Sequence, residues 1–378
     1  MNKIGLLLPN SVVYSEMTLS FTDGLHLALD ALPDEKRPQV YFETIGNGGK
    51  QEVILEKLQK LLVQDRVNLV IADIGHHAQE AVMAQSKANR KLLYLTGLGA
   101  NLYTPIKDNP FTLVNTFQLW ESAWQLGKRL GSQGKKVLMA SSFYDSGYQI
   151  SHAFQLGLAA GGGEVMGYKI PEQDWTREDV VDLAKKVKES GADCVHSNLS
   201  LPSSQTLLEH YPESEIREIP IYGNATAVFA SETEARHMPE VSGFCTWDEA
   251  IQSNDNLSFL NAYKGEHGIL PNLFSLMGYE AGLFAARCIE SGVLSQKPQT
   301  GFTADLKSLA TPRGLLSLRP SGHFESPQFY FSTGRDDSNG ERPHKLEPLE
   351  GGGNEIAEEI TNSKNQDVTG WLNCYLCR

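Results

Sequence analysis

The chain has 378 residues, of which 40% are hydrophobic, 21% charged and 9% aromatic; at ~150 residues per domain that is material for two sizeable cores. Its 33 Lys and Arg stand against 46 Asp and Glu, a formal net charge of −13, which argues against a general nucleic-acid binder because such a protein needs a basic face. No apolar run reaches the ~18–20 residues of a membrane span, so the chain reads as not membrane-spanning.

The first third alternates short β-rich runs with amphipathic stretches. Strands are predicted over Ile4–Leu8, Val40–Thr44, Leu69–Asp73, Leu92–Leu95 and Phe111–Val114, and helices over Thr18–Leu32, Gln51–Gln64 and Ala78–Ala88. In the second helix Ile54, Leu55, Leu58, Leu61 and Leu62 recur at three- and four-residue spacing, with Glu56, Lys57 and Lys60 between them, the pattern of one buried face. A strand followed by a helix long enough to cross back is the signature of a parallel, helix-flanked α/β sheet.

A second round starts near Trp120. Helix Glu121–Leu130 leads to strand Val137–Ser141, helix Tyr148–Ala160, strand Glu164–Ile170, helix Arg177–Glu189 and strand Asp193–Ser197; a helical segment Ser203–Tyr211 and strands Ile219–Tyr222 and Val241–Thr246 follow. Gly161-Gly162-Gly163 and Ser190-Gly191 fall where helix-terminating glycines are expected. Two similar α/β rounds imply two lobes of one architecture. Two further helices are predicted over Leu257–His267 and Leu273–Ser291, then short strands Leu315–Leu318 and Gln328–Phe331. Beyond Ser332 the chain is polar and broken by Gly and Pro, and reads as a flexible tail without a core of its own.

Signals for compartment and chemistry are sparse. A strand-like run begins almost at the first residue, so the chain reads either as never exported, hence cytoplasmic, or as having lost a leader with Met1 in its place. Cys194, Cys245 and Cys288 are solitary in apolar segments and read as buried thiols. Cys374 and Cys377 form a CxxC, half of a zinc site and without a thioredoxin setting, so no metal or cofactor is assigned there. Gly97-Leu-Gly99 lacks the third glycine of a dinucleotide fingerprint, and no nucleophile elbow or metalloprotease helix is present. His76 and His77 are adjacent, so their side chains diverge and a metal would need distant partners. Asp145, Asp174 and Asp248 are carboxylates with no nucleophile paired to them. No catalytic residue is assigned, and the chain is expected not to be an enzyme.

Several segments are family-like. Lys3-Ile-Gly-Leu-Leu-Leu-Pro9 with Gly24-Leu-His-Leu-Ala-Leu29, Phe143-Tyr144-Asp145-Ser146-Gly147, Ser190-Gly191-Ala192-Asp193, Gly278-Tyr279-Glu280-Ala281 and Thr311-Pro-Arg-Gly314 together resemble the type I periplasmic binding proteins of the branched-chain amino-acid type. The resemblance runs over residues 3–332 in the family's order. It implies two Rossmann-like lobes joined by three crossovers, near Asn115–Gln118, Gly243–Trp247 and Glu325–Gln328. Lobe one would be 1–116 plus 247–325, lobe two 118–243 plus 327–332, and 333–378 the tail. It also implies capture of a small amino acid or related carboxylate or amide between the lobes and delivery to an ABC permease, in the periplasm. A cytoplasmic ligand sensor of the same fold is the alternative.

Ligands of such folds sit at the C-terminal ends of strands. The candidates there are Tyr14, Ser15, Gly75, His76, His77, Thr96, Gly97 and Leu98 in lobe one, Tyr144, Asn198 and Asn224 in lobe two, and Trp247 at a crossover. The expected chemistry is anion capture by main-chain N–H groups at helix starts, with glycines allowing close approach and aromatic rings stacking on the ligand. Plainer readings stand beside these. The glycines serve as turn residues, Tyr144 and Trp247 as packing, and Asn198 and Asn224 as helix caps. In amino-acid-binding members the two lobe-one loops carry hydroxyls, whereas Gly75-His76-His77-Ala78 and Gly97-Leu98-Gly99-Ala100 have none and Thr96 is the nearest. The last residues, Trp371 to Arg378, form an apolar cluster that reads either as a frayed extension or as a handle for a partner.

Overall fold

The structure is a computed structural model and describes residues 2–102, 106, 109–224, 239–296, 301, 306–333, 344–349 and 370–378. The chain divides into two compact units, Met1–Phe117 with Trp247–Pro327 and Trp371–Arg378, and Gln118–Thr246 with Gln328–Gly370.

The first unit opens with β1 (Lys3–Leu8), α1 (Met17–Leu29), β2 (Gln39–Thr44), α2 (Gln51–Gln59), β3 (Leu69–Asp73), α3 (Gln79–Ala88), β4 (Leu92–Gly97) and β5 (Thr112–Thr116). The strands form one parallel sheet in the order β2-β1-β3-β4-β5. Every residue of β3 and β4 is buried, as strands covered on both faces must be, which is why they read as unbroken apolar runs. Edge strand β2 keeps only Phe42's neighbour Glu43 buried, and that carboxylate meets the ammonium groups of Lys57 from α2 and of Lys60 just beyond it. The predicted long helix 51–64 instead ends as α2, and one wider π turn over Lys60–Gln64 brings Leu61 and Leu62 inward.

The second unit repeats the plan with α4 (Leu119–Ser132), β6 (Lys136–Ser141), α5 (Ile150–Gly161), β7 (Glu164–Lys169), α6 (Arg177–Ser190), β8 (Cys194–Asn198), α7 (Ser203–His210), β9 (Ile221–Gly223) and β10 (Val241–Cys245). Its parallel part runs β7-β6-β8-β9-β10, the same order as the first sheet. Two turn glycines expected from sequence adopt left-handed backbone, Gly162 at φ 90° and Gly191 at φ 66°. Thr176 and Asp179 close a reciprocal capping box on α6, which satisfies two otherwise orphaned N–H groups.

The chain then returns to the first unit with α8 (Asn254–His267), α9 (Leu273–Glu290) and a small antiparallel sheet of β11 (Ser308–Thr311), β12 (Gly314–Leu318) and β13 (Phe324–Glu325). Antiparallel β14 (Phe329–Thr333) and β15 (His344–Pro348) extend the second sheet beyond β10. The segment after Ser332 therefore departs from the expected coreless tail: β15 is paired residue by residue with β14, and Cys374, Leu376 and Cys377 are buried.

Each unit carries one helix pair in backbone contact. A Cβ at Gly24 of α1 would strike the Ser275 carbonyl of α9, and one at Gly278 the Phe21 carbonyl of α1. In the second unit Gly127 of α4 meets the Phe154 carbonyl of α5, and Gly157 of α5 the Trp124 carbonyl of α4. In both units the pair includes the helix that follows the sheet's first strand. Behind the α1–α9 pair, Arg313 at the β11–β12 turn makes a buried bidentate pair with Glu280 of α9, at 2.8 and 2.6 Å. Asn115 Oδ1 accepts from Arg313 Nη2, and Asn115 Nδ2 donates to Glu280 and Tyr94. Two of the family-like segments thus meet through their charged residues.

Candidate functional site

In the first sheet the strand order reverses between β1 and β3, the position where open α/β sheets present ligand loops. The loop after β3 runs through Gly75 into a single 3-10 turn, His76–Ala78, and on into α3. The loop after β4 holds Gly97 at φ 150° and Gly99 at φ 74°, backbone that other residues rarely adopt. Gly75 differs: its φ is an ordinary −64°, and glycine is needed for space, because a Cβ would strike the Leu372 carbonyl and the His77 ring. Around these loops lies a cavity of about 30 Å³ lined by Asp73, Gly75, His76, Gly97 to Asn101, and Asn373 to Tyr375.

Four of the predicted residues, Gly75, His76, Gly97 and Leu98, line this one cavity. His76 Nδ1 sits 3.1 Å from Asn101 Nδ2, and burial, with His77 beside it, lowers its pKa so that the ring is neutral. Among the described residues neither nitrogen of His77 has a hydrogen-bond partner, and burial lowers its pKa as well. Thr96 is buried and outside the lining. After β1, the Tyr14 N–H donates to Ser11 Oγ, the Tyr14 ring meets Phe274 edge-on at 5.8 Å, and Ser15 is exposed. Asp73, the last residue of β3, was not singled out from sequence; with no cation beside it, burial pushes its carboxyl up to about 7. Its only sequence signal is a carboxylate closing an apolar strand two residues before a glycine.

The C-terminal residues pack on the same strand ends. The Cys374 N–H donates to the Asn47 carbonyl after β2 at 3.0 Å, and its thiol lies 3.7 Å from the Asp73 carbonyl. Ser11 Oγ donates to the Leu376 carbonyl, and the Val12 N–H to that of Arg378. Cys377 Sγ lies 3.9 Å from the Met17 sulfur. The expectation of a frayed end is corrected here, because Cys374, Leu376 and Cys377 are buried against their own unit, while Leu372 stays exposed.

In the second sheet the order reverses between β6 and β8. There Asp145, fully buried, accepts from Ser142 Oγ at 2.6 Å and from the Ser200 N–H at 3.0 Å; it fastens two strand-end loops. The Tyr144 hydroxyl accepts from Tyr148, with the rings 5.3 Å apart. Asn198 donates to Ser151 Oγ and accepts from Asn224 Nδ2 at 2.9 Å, so the two predicted asparagines are brought together, buried. The plainer reading of Asn224 as a helix cap falls on following residues that lie outside those described. Trp247 belongs to the first unit. It is 1% exposed, its indole N–H donates to Asn256 Oδ1 at 2.8 Å, and Phe259 packs edge-on against it.

A family model described as periplasmic binding protein matches residues 2–336. A search of curated proteins returns no match. Among solved structures, a Sphaerobacter thermophilus ABC-transporter substrate-binding protein is 17% identical with TM-score 0.75, over 92% of this chain and 97% of that one. A solute-binding protein of an R. palustris ABC transporter, in complex with benzoate, is 17% identical with TM-score 0.71 over 92% and 97%. The branched-chain amino acid transporter substrate-binding protein of Streptococcus pneumoniae, in complex with isoleucine, is 15% identical with TM-score 0.66 over 92% and 100%. With the model covering both α/β units in order, the chain belongs to the periplasmic binding protein family.

Proposed function

We propose that the protein captures a small carboxylate-bearing solute for ABC-type uptake, holding it at the strand-end loops of its two units, which close over it. The observation that carries this reading is the recurrence of one strand order, with ligand loops at both reversal points. Family membership favours uptake over the intracellular sensor. The segments Gly75–Ala78 and Gly97–Ala100 after β3 and β4 offer main-chain N–H groups and neutral imidazoles, donors suited to a carboxylate and devoid of side-chain hydroxyls. They lack a nucleophile paired with a base, so the ligand is bound without turnover. A carboxylate with an apolar body suits this wall, since Leu98 and Ala100 flank the glycines. The ligands of the solved relatives, benzoate and isoleucine, are of that kind. The permease partner and the periplasmic location follow from the same reading. Contact with both units only in the closed form is what shifts the hinge equilibrium towards closure.

The test is a thermal-shift panel of benzoates and aliphatic amino acids on the purified chain, followed by calorimetry on the best compound. Binding at 100 times Kd adds ~2.7 kcal/mol to stability, a readily measured rise in Tm. A panel without any shift, with no small molecule co-purifying by native mass spectrometry, would overturn the proposal.

A further inference from the structure

We propose that Trp371–Arg378 is a tethered occupant of the first unit's ligand loops, which a ligand must displace before it can take their N–H groups. The proposal rests on the binding reading above. At the loop after β3, the Leu372 carbonyl sits where a Cβ on Gly75 would be, and the Cys374 thiol lies 3.7 Å from the Asp73 carbonyl. The Val12 N–H and the Ser11 hydroxyl, from the loop after β1, are spent on the carbonyls of Arg378 and Leu376. A segment of eight residues thus engages the loops after β1, β2 and β3 and, through Asn373 to Tyr375, walls the cavity beside the loop after β4.

The fit is close. A Cβ on Gly48 would come within 2.5 Å of Cys374 Sγ, and one on Gly75 would strike the Leu372 carbonyl. Cys374, Leu376 and Cys377 are 3, 2 and 0% exposed. Leu376 holds φ at 69°, a conformation a non-glycine residue adopts only at a cost, so contacts with the loops must offset it. What remains open beside the segment is about 30 Å³, space for a water or two, whereas organic ligands take ~300 Å³ or more. Segment and ligand therefore compete for the same donors.

Competition lowers apparent affinity by the fraction of molecules whose loops are open. The test compares the full chain with its Cys374→Arg/Cys377→Arg variant, in which two buried tail positions become charged and none of the loops is altered. Benzoate, with L-isoleucine as second probe, is expected to bind the variant about tenfold more tightly, as for a wild type open one time in ten. Amide exchange at Val12 and Gly75 is expected to quicken in the variant, and to slow again when a synthetic peptide of residues 371–378 is added. Equal probe affinity in both proteins, or a peptide that leaves Val12 and Gly75 exchanging as before, overturns the occupant and leaves the binding reading standing. Probe binding to neither form, with the peptide still protecting both amides, removes the binding reading and the competition with it. A measurement on the wild type guards against a variant that fails to fold. Bound benzoate is expected to speed reaction of Cys374 and Cys377 with a thiol reagent about tenfold, and an unchanged rate with benzoate bound overturns the proposal.

Discussion

His196 and Asp73 show how burial sets the pH response in opposite directions. His196 lies face to face with Phe154, ring centroids 3.6 Å apart, and among the described residues both its nitrogens are unpaired. Burial pushes its pKa down to about 3, and that of His323 to about 4. The unfolded chain takes up protons from about pH 6.5 downward while the folded one refuses them. This share of stability is complete above pH 6.5 and is lost as pH falls from there towards 3. His196→Phe keeps the stack and removes the unpaired nitrogens; it is expected to stabilise by ~1 kcal/mol at pH 7 and by more at pH 5. Urea denaturation at both values checks this, and a destabilised variant would contradict it. Asp73 works the other way. Its folded pKa of about 7 lies above the unfolded 3.8, so its share is complete below 3.8 and is lost as pH rises to 7 and beyond. Asp73→Asn is expected to abolish that decline, seen as a flatter stability profile between pH 5 and 8. At this scale the sequence left Trp247 between stacking and packing, since an aromatic at a crossover has no periodic neighbours to tell its inward face from its outward one.

At the scale of elements the pattern was readable wherever burial imposes a period. The strand over Leu69–Asp73 and the helix from Leu273 fall where apolar spacing puts them. β11 and β13 were missed because Ser308–Thr311 and the two-residue Phe324–Glu325 are too short to show alternation. Long-range pairing was equally invisible, because Glu280 and Arg313 lie on separate elements and only the fold joins them. Removing one member of a buried pair leaves an uncompensated charge, which costs ~3–5 kcal/mol. Arg313→Met is expected to lose that much by chemical denaturation, and adding Glu280→Gln to recover part of it, with Asn115 still donating to the new amide. A single-variant loss below ~1 kcal/mol would mean that the pair is dispensable.

For the whole molecule, two α/β units of one strand order are what the alternation of patterns announced, and the family model spans both. The C-terminal segment was illegible because its eight residues have no period, and because a polar stretch separates them from the body. Its apolar residues, Trp371, Leu372, Tyr375 and Leu376, were the one sign that it packs somewhere. Binding by main-chain amides at the strand ends is the claim on which the functional account turns. Amide hydrogen exchange of the full chain, with and without the carboxylate that raises Tm most, reads those amides directly. Slower exchange is expected at Gly75–Ala78 and Gly97–Asn101 in the first unit and at Tyr144–Gly147 and Asn198–Ser200 in the second. Protection confined to other surfaces, with these four loops unchanged, would contradict it.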